Sequence, residues 1–170
     1  DPAGASLRSD FRKGYEYSDC WIEDSRLVVL NARDAARRGA TIMPRTRVIN
    51  ARRQDDGWLI TLSDSSGEWQ VRARMLVNAG GPWAGSIIKG VVGSNAADRV
   101  RLVRGSHIVT RKLFDHDKSY FLQGTDGRII FAIPYEGQFT LIGTTDKDHT
   151  DAATPPVCTD EEADYLLDFA

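Results

Sequence analysis

The sequence predicts two architectures in succession: an α/β part carrying an inserted β-meander, then an antiparallel, β-rich part. Three observations predict them. One strongly periodic helix stands near residues 23–39, followed by three short strand-like segments closed by tight turns. The apolar run Met75-Leu76-Val77 stops at Asn78-Ala79-Gly80-Gly81-Pro82-Trp83, the pattern of a strand, a turn and a helix start. Beyond residue 100, strand-like segments follow one another with only turns between them, which implies an antiparallel sheet.

Residues 1–22 read as an irregular lead-in, in which Tyr15, Tyr17 and Trp21 alternate as in a short strand. EDSRLVVLNARDAARRG is a helix. Leu27, Leu30, Ala35 and Ala36 repeat at helical spacing, Asp24 or Ser25 caps the start, and Arg37, Arg38 and Gly39 end it. ATIMPRTRVINARRQ supplies one or two strands, Asp55 to Gly57 a hairpin turn, WLITLS the return strand, DSSGE a second turn and WQVRA a third strand. Met75–Asn78 is expected as a fourth, buried strand, residues 82–90 as a short helix and residues 91–100 as a loop. VRLVRGSHIVTR is a strand broken at a glycine. SYFLQG, RIIFAIPYEG and QFTLIGTTD are three more, separated by TDG and EGQ. TDEEADYLLDFA opens a helix capped by Thr159 or Asp160, with Glu161 and Glu162 in its first turn and Leu166, Leu167 and Phe169 on an apolar face. A helix caught midway, and a start at Asp1 without methionine, lead to the expectation of a piece of a longer protein.

At 170 residues and 41% apolar, the chain can bury a real core. Its 22 basic and 24 acidic residues leave a net charge of −2, which offers no electrostatic case for nucleic acid or an anionic membrane. It has no run of about 18 apolar residues that would predict a spanning helix. Cys20 and Cys158 lie outside any C-x-x-C and are expected as free thiols of a reducing compartment. No C-x-x-C or H-x-x-x-H spacing gathers the Asp and His residues at 115–117 and 146–149, so no metal is expected.

Two places point to chemistry. Gly80 and Gly81 allow positive φ and close approach, and Pro82 suits a helix start whose free N–H groups favour an anion. Ligands of open α/β sheets sit at the carboxyl ends of strands. The alternative is that the glycines serve tight helix-on-strand packing; no G-x-G-x-x-G occurs in the chain. Among three histidines, His107 is the catalytic candidate. Gly105 and Ser106 interrupt the strand pattern just before it, and an imidazole facing a cavity there can take a proton near neutral pH. The alternative is a satisfied strand histidine. His116 and His149 read as solvated turn residues, and Arg101, Arg104 and Arg128 as solvated strand-edge residues with no phosphate role assigned.

Taken in order, Lys13-Gly14-Tyr15-Glu16-Tyr17-Ser18-Asp19-Cys20-Trp21, Asn78 to Ala84, Arg101 to Val109 and Phe131 to Asp146 resemble the FAD-dependent (aerobic) glycerol-3-phosphate dehydrogenase family. The resemblance runs from residue 13 to the end. NAGGPW alone fits many amine- and hydroxy-acid-oxidising flavoproteins; GSHI followed by IPYEG and IGTTD is more specific. The resemblance implies a central fragment of a FAD/NAD(P)-binding flavoprotein. Residues 1–22 would lie on the substrate-domain side, 23–95 in part of a Rossmann-like FAD-binding domain with its β-meander, and 96–170 in part of an antiparallel substrate domain. It further implies oxidation of sn-glycerol 3-phosphate to dihydroxyacetone phosphate with hydride passing to FAD. Electrons would go on to quinone in the respiratory chain, in a cytoplasmic enzyme peripheral to the inner face of the membrane.

By the same resemblance, the Val48 backbone pairs with adenine, and Ala79, Gly80, Gly81 and Trp83 flank the cofactor through backbone and apolar contact. His107 lies in the substrate pocket, orienting the substrate hydroxyl or acting as base. The pyrophosphate fingerprint and phosphate clamp are expected outside the chain. The piece alone is therefore expected to be inactive, free of FAD, and prone to self-associate through exposed core surfaces. The alternatives are a related FAD-dependent amino-acid or hydroxy-acid oxidase, or a self-standing binding module.

Overall fold

The computed structural model describes residues 2–95 and 100–169. Its elements in chain order are α1 (Pro2–Ala5), α2 (Asp24–Arg37), β1 (Arg47–Gln54), β2 (Gly57–Asp64), β3 (Gly67–Ala73), a 3-10 turn (Gly81–Trp83), α3 (Ala84–Gly90), β4 (Val103–Arg104), β5 (His107–Arg111), β6 (Tyr120–Gln123), β7 (Ile129–Tyr135), β8 (Phe139–Gly143), β9 (Lys147–Asp148) and α4 (Asp160–Leu167). They fall into two units. Tyr15–Val100 forms a meander unit; Asp1–Gly14 with Arg101–Ala170 forms a sheet unit.

In the meander unit, β1, β2 and β3 pair antiparallel in sequence order, through turns at Asp55-Asp56 and residues 65–66, as their turn chemistry predicts. Alternation turns Ala51, Ile60 and Leu62 into a small core, packed by Trp58, Trp69, Val71, Leu76, Val91 and Val92. The register steps from Val48↔Leu62 to Asn50↔Thr61, so Ile49 is the extra residue of a β-bulge. The Ala51 N–H donates to Val91 O at 2.9 Å, tying the outer edge of β1 to the chain beyond α3.

Three expectations fail here. Tyr15–Trp21 forms no strand and stands exposed, with Tyr15 97% accessible. Met75–Asn78 is not a strand either. Met75 and Val77 are each 76% exposed and only Leu76 turns into the core. A strand exists only where a neighbour supplies its hydrogen bonds, and no described strand pairs with either segment. Thirdly, neither Asp24 nor Ser25 caps α2; Glu23 occupies the cap position without a side-chain bond, and Ser25 Oγ donates to Glu23 at 3.0 Å. No residue of α2 is buried, and its apolar stripe at Leu27 and Leu30 has no cover among the described residues. Of the expected loop at 91–100, residues 96–99 lie outside the described residues.

In the sheet unit, the strand order is β5-β8-β7-β6, all antiparallel, with β4 and β9 paired separately. The glycine break thus divides one apolar segment between two sheets. One face of the main sheet is covered by α4 and the segment around Phe114. Ile130, Ile142 and Leu166 of α4 are at most 1% exposed, and Phe114, Ala132, Tyr165 and Phe169 complete this core. Thr159 is the cap of α4: its hydroxyl accepts from the Glu162 N–H, while the Glu162 side chain accepts from the Thr159 N–H. His116 is a correction. Rather than facing solvent, it stacks on Phe114 at 4.6 Å and bonds Tyr120 OH through Nε2 at 2.8 Å, because the sheet's apolar edge extends over that turn.

Candidate functional site

His107 opens β5 at the edge of the main sheet. Strand alternation puts Ile108 and Thr110 toward the core and His107, Val109 and Arg111 on the opposite face. Across the sheet, His107 is level with Gly143, Phe131 and Phe121. Its ring lies directly on Gly143, where a Cβ would collide with the imidazole. Glycine here lets the ring lie flat against backbone. The rest of this face is apolar and open: Val109 is 54% exposed, Phe121 47% and Phe131 37%, and the two phenylalanines meet edge to face at 5.1 Å. An imidazole at the border of an uncovered apolar wall can bind and deprotonate a polar group placed there.

Behind His107, on the covered side, lies a cluster that sequence reasoning missed. Glu162 is 1% exposed. Its Oε1 accepts from Thr145 Oγ1 at 2.9 Å and Ser106 Oγ at 3.2 Å; its Oε2 accepts from the Thr159 N–H and hydroxyl, both at 3.1 Å, and pairs with Arg104 at 2.9 Å. Arg104 is therefore no solvated edge residue; it also donates to Val157 O. Burial alone would push the Glu162 carboxyl up. The Thr159 N–H, the Thr145 and Thr159 hydroxyls and the Arg104 charge overcome that and hold it at about 2, against an ordinary 4.5. The signal available in the sequence was the Thr159-x-x-Glu162 spacing, which marks a capping box but not its burial.

Val48 and the Ala79–Trp83 turn belong to the meander unit. Val48 is half-exposed on the edge strand β1, beside the bulge. In the turn, Asn78 Oδ1 accepts from the Gly80 N–H at 3.1 Å, and Asn78 Nδ2 donates to Ala84 O at 3.0 Å. Gly81 has φ +53°, a left-handed conformation that a Cβ would strain. The 3-10 turn uses donors that the sequence left for an anion: Trp83 N–H goes to Gly80 O and Ala84 N–H to Gly81 O. The Ala79 and Gly81 N–H groups remain at the exposed apex beside Trp83, itself 55% accessible. This is a backbone-lined shelf with an aromatic flank, not a pocket for a compact anion. It fits a flat, hydrogen-bonding group laid against the main chain.

A family model described as FAD dependent oxidoreductase matches residues 1–170. The chain belongs to this family. Similar to this chain are D-erythritol 1-phosphate dehydrogenase of Brucella abortus, 45% identical over 98% of this chain and 34% of the relative, and glycerol-3-phosphate dehydrogenase of Pseudomonas aeruginosa, 44% identical over 95% and 32%. Aerobic glycerol-3-phosphate dehydrogenase of Escherichia coli is 36% identical over 97% and 33%. The X-ray structure of the glycerol-3-phosphate dehydrogenase from Bacillus halodurans, complexed with FAD, matches with a TM-score of 0.71 at 29% identity, covering 85% of this chain and 30% of that one. The chain thus spans about a third of the length of the curated relatives it matches. Among the described residues, no helix is long and apolar enough to cross a membrane, and no group of three or more His, Cys, Asp or Glu side chains could hold a metal.

Proposed function

We propose that this chain is the central third of a flavoenzyme that oxidises a polyol phosphate, with sn-glycerol 3-phosphate going to dihydroxyacetone phosphate. The observation that carries the reading is the match of the whole chain to the FAD-dependent oxidoreductase family, joined to relatives whose names specify phosphorylated polyols. The backbone of Val48, on its open strand edge, and Ala79, Gly80, Gly81 and Trp83, on their shelf, would hold FAD. When bound, FAD supplies a two-electron acceptor for hydride. The unpaired Met75–Asn78 segment fits a strand of a Rossmann-like sheet whose neighbours lie elsewhere in the protein.

Oxidising a secondary alcohol removes a hydride from carbon and a proton from oxygen. His107 takes the proton, and the apolar wall around Phe131 lines the site beside it. Quinone as final acceptor, and a peripheral place at the inner face of the cytoplasmic membrane, belong to this reading on the family resemblance alone.

A second substrate reading, D-erythritol 1-phosphate, rests on the Brucella relative at 45% identity. Both substrates are phosphate monoesters of a polyol. The test is anaerobic bleaching of the flavin in the full-length holoenzyme by glycerol 3-phosphate, D-erythritol 1-phosphate, an α-hydroxy acid and an amino acid. Bleaching by a polyol phosphate supports the reading; bleaching by the hydroxy or amino acid alone overturns it. His107→Asn should keep its flavin and lose at least about 100-fold in kcat.

A further inference from the structure

Glu162 is a fully buried charge that the proposed reaction does not use. A capping box accounts for only part of what it does, the exchange with Thr159 through Oε2. The other oxygen, Oε1, is committed to the ends of two strands. It accepts from Ser106, the residue before His107, and from Thr145, two residues beyond the Gly143 on which the His107 ring lies. The two strand ends are also tied to each other: the Ser106 N–H donates to Thr145 Oγ1 at 2.8 Å and the Thr145 N–H to Ser106 O at 3.2 Å. Arg104, on the far side of the Gly105 break, closes the cluster from β4.

We propose that Glu162 is a positioning residue for His107, acting through Ser106 and Thr145 to fix where the imidazole stands over Gly143. The inference rests on the reading of His107 as the group that takes the substrate's proton. The geometry supports it on three counts. The carboxylate bridges the two backbone segments that define the His107–Gly143 contact. Five donors to its two oxygens hold it in a single orientation, and a carboxylate held ionised in a buried place resists small displacements of its partners. Glu162 comes from α4, the helix whose Leu166 covers the other face of the sheet, and Glu162 and Thr145 are both buried, so the cluster sets the imidazole without touching substrate.

The experiment uses the full-length holoenzyme and four variants: Thr145→Val, Glu162→Gln, His107→Asn and the Thr145→Val/His107→Asn double variant. Kcat and KM for glycerol 3-phosphate and D-erythritol 1-phosphate are measured with an artificial acceptor, alongside flavin content and Tm. Thr145→Val keeps the side-chain shape and spares the capping box, so it carries the decision where Glu162→Gln does not fold. For Thr145→Val, kcat should fall about 10-fold while KM changes less than about 2-fold; in the His107→Asn background the same substitution should change kcat less than about 2-fold, since its effect runs through the imidazole.

A Thr145→Val enzyme with a lowered Tm and wild-type kcat overturns the proposal. So does an equal loss in both backgrounds. A wild-type enzyme that oxidises neither polyol phosphate removes the proposed function, and this inference with it. If the wild type is active and His107→Asn keeps its kcat, only the proton-transfer role and the positioning proposal fall.

Discussion

The two faces of the main sheet are both largely apolar and differently finished. On one, Ile130 and Ile142 are sealed beneath Leu166 of α4. On the other, Val109, Phe121 and Phe131 stand open beside His107. RIIFAIPYEG gives both faces apolar side chains at alternate positions, so the difference lies in the cover rather than the strand. An uncovered apolar face of this kind is where a protein meets something else, and the one imidazole on the sheet is on that side.

The difference between the faces should show most strongly on the covered one. Ile142→Ala should destabilise the sheet unit by about 3 kcal/mol, as a cavity in a sealed core does, read from urea unfolding of the chain. Next comes Glu162→Ala, expected to cost about 2 kcal/mol by leaving the mostly buried Arg104 without its carboxylate. Acid should act through the same carboxyl. Its folded pKa, about 2, lies below the unfolded 4.5, so its contribution is full above 4.5 and drains away as pH falls toward about 2. Urea midpoints taken across that range should fall less steeply in Glu162→Gln. On the open face, Phe131→Ala should cost only about 1 kcal/mol, chiefly its contact with Phe121. A loss equal to that of Ile142→Ala would mean the open face is covered in solution, for instance by a second copy. Val109→Thr should stay within about 0.5 kcal/mol by the same measurement.

Local signals in the sequence carried the elements whose partners are near in the chain. The Asp55–Gly57 turn set the β1–β2 register, the TDG and EGQ turns separated β6, β7 and β8, and Thr159 announced α4. Two of the failures turned on packing and pairing that the local pattern does not show. Met75–Asn78 has the composition of a buried strand, but hydrogen bonds from another strand are what make one. His116 looks solvated among Asp115, Asp117 and Lys118 until Phe114 and Tyr120 close on it. For the candidate site, His107 and the glycine turn stood out because glycines interrupt regular patterns. Thr145 and Glu162 did not: each is unremarkable in its own segment, and they meet Ser106 only when β5 pairs with β8 and α4 folds back.

The division into units also orders events during synthesis. The chain leaves the sheet unit at Gly14 and returns at Arg101, so the meander unit is an excursion within it. A ribosome finishes that excursion first, as one contiguous, locally paired piece. The sheet unit waits. The Tyr120 hydroxyl reaches Ala3 across 117 residues, and Leu166 seals Ile130 and Ile142 only after every strand has emerged. A nascent chain stopped before Leu166 therefore carries a sheet bare on both sides.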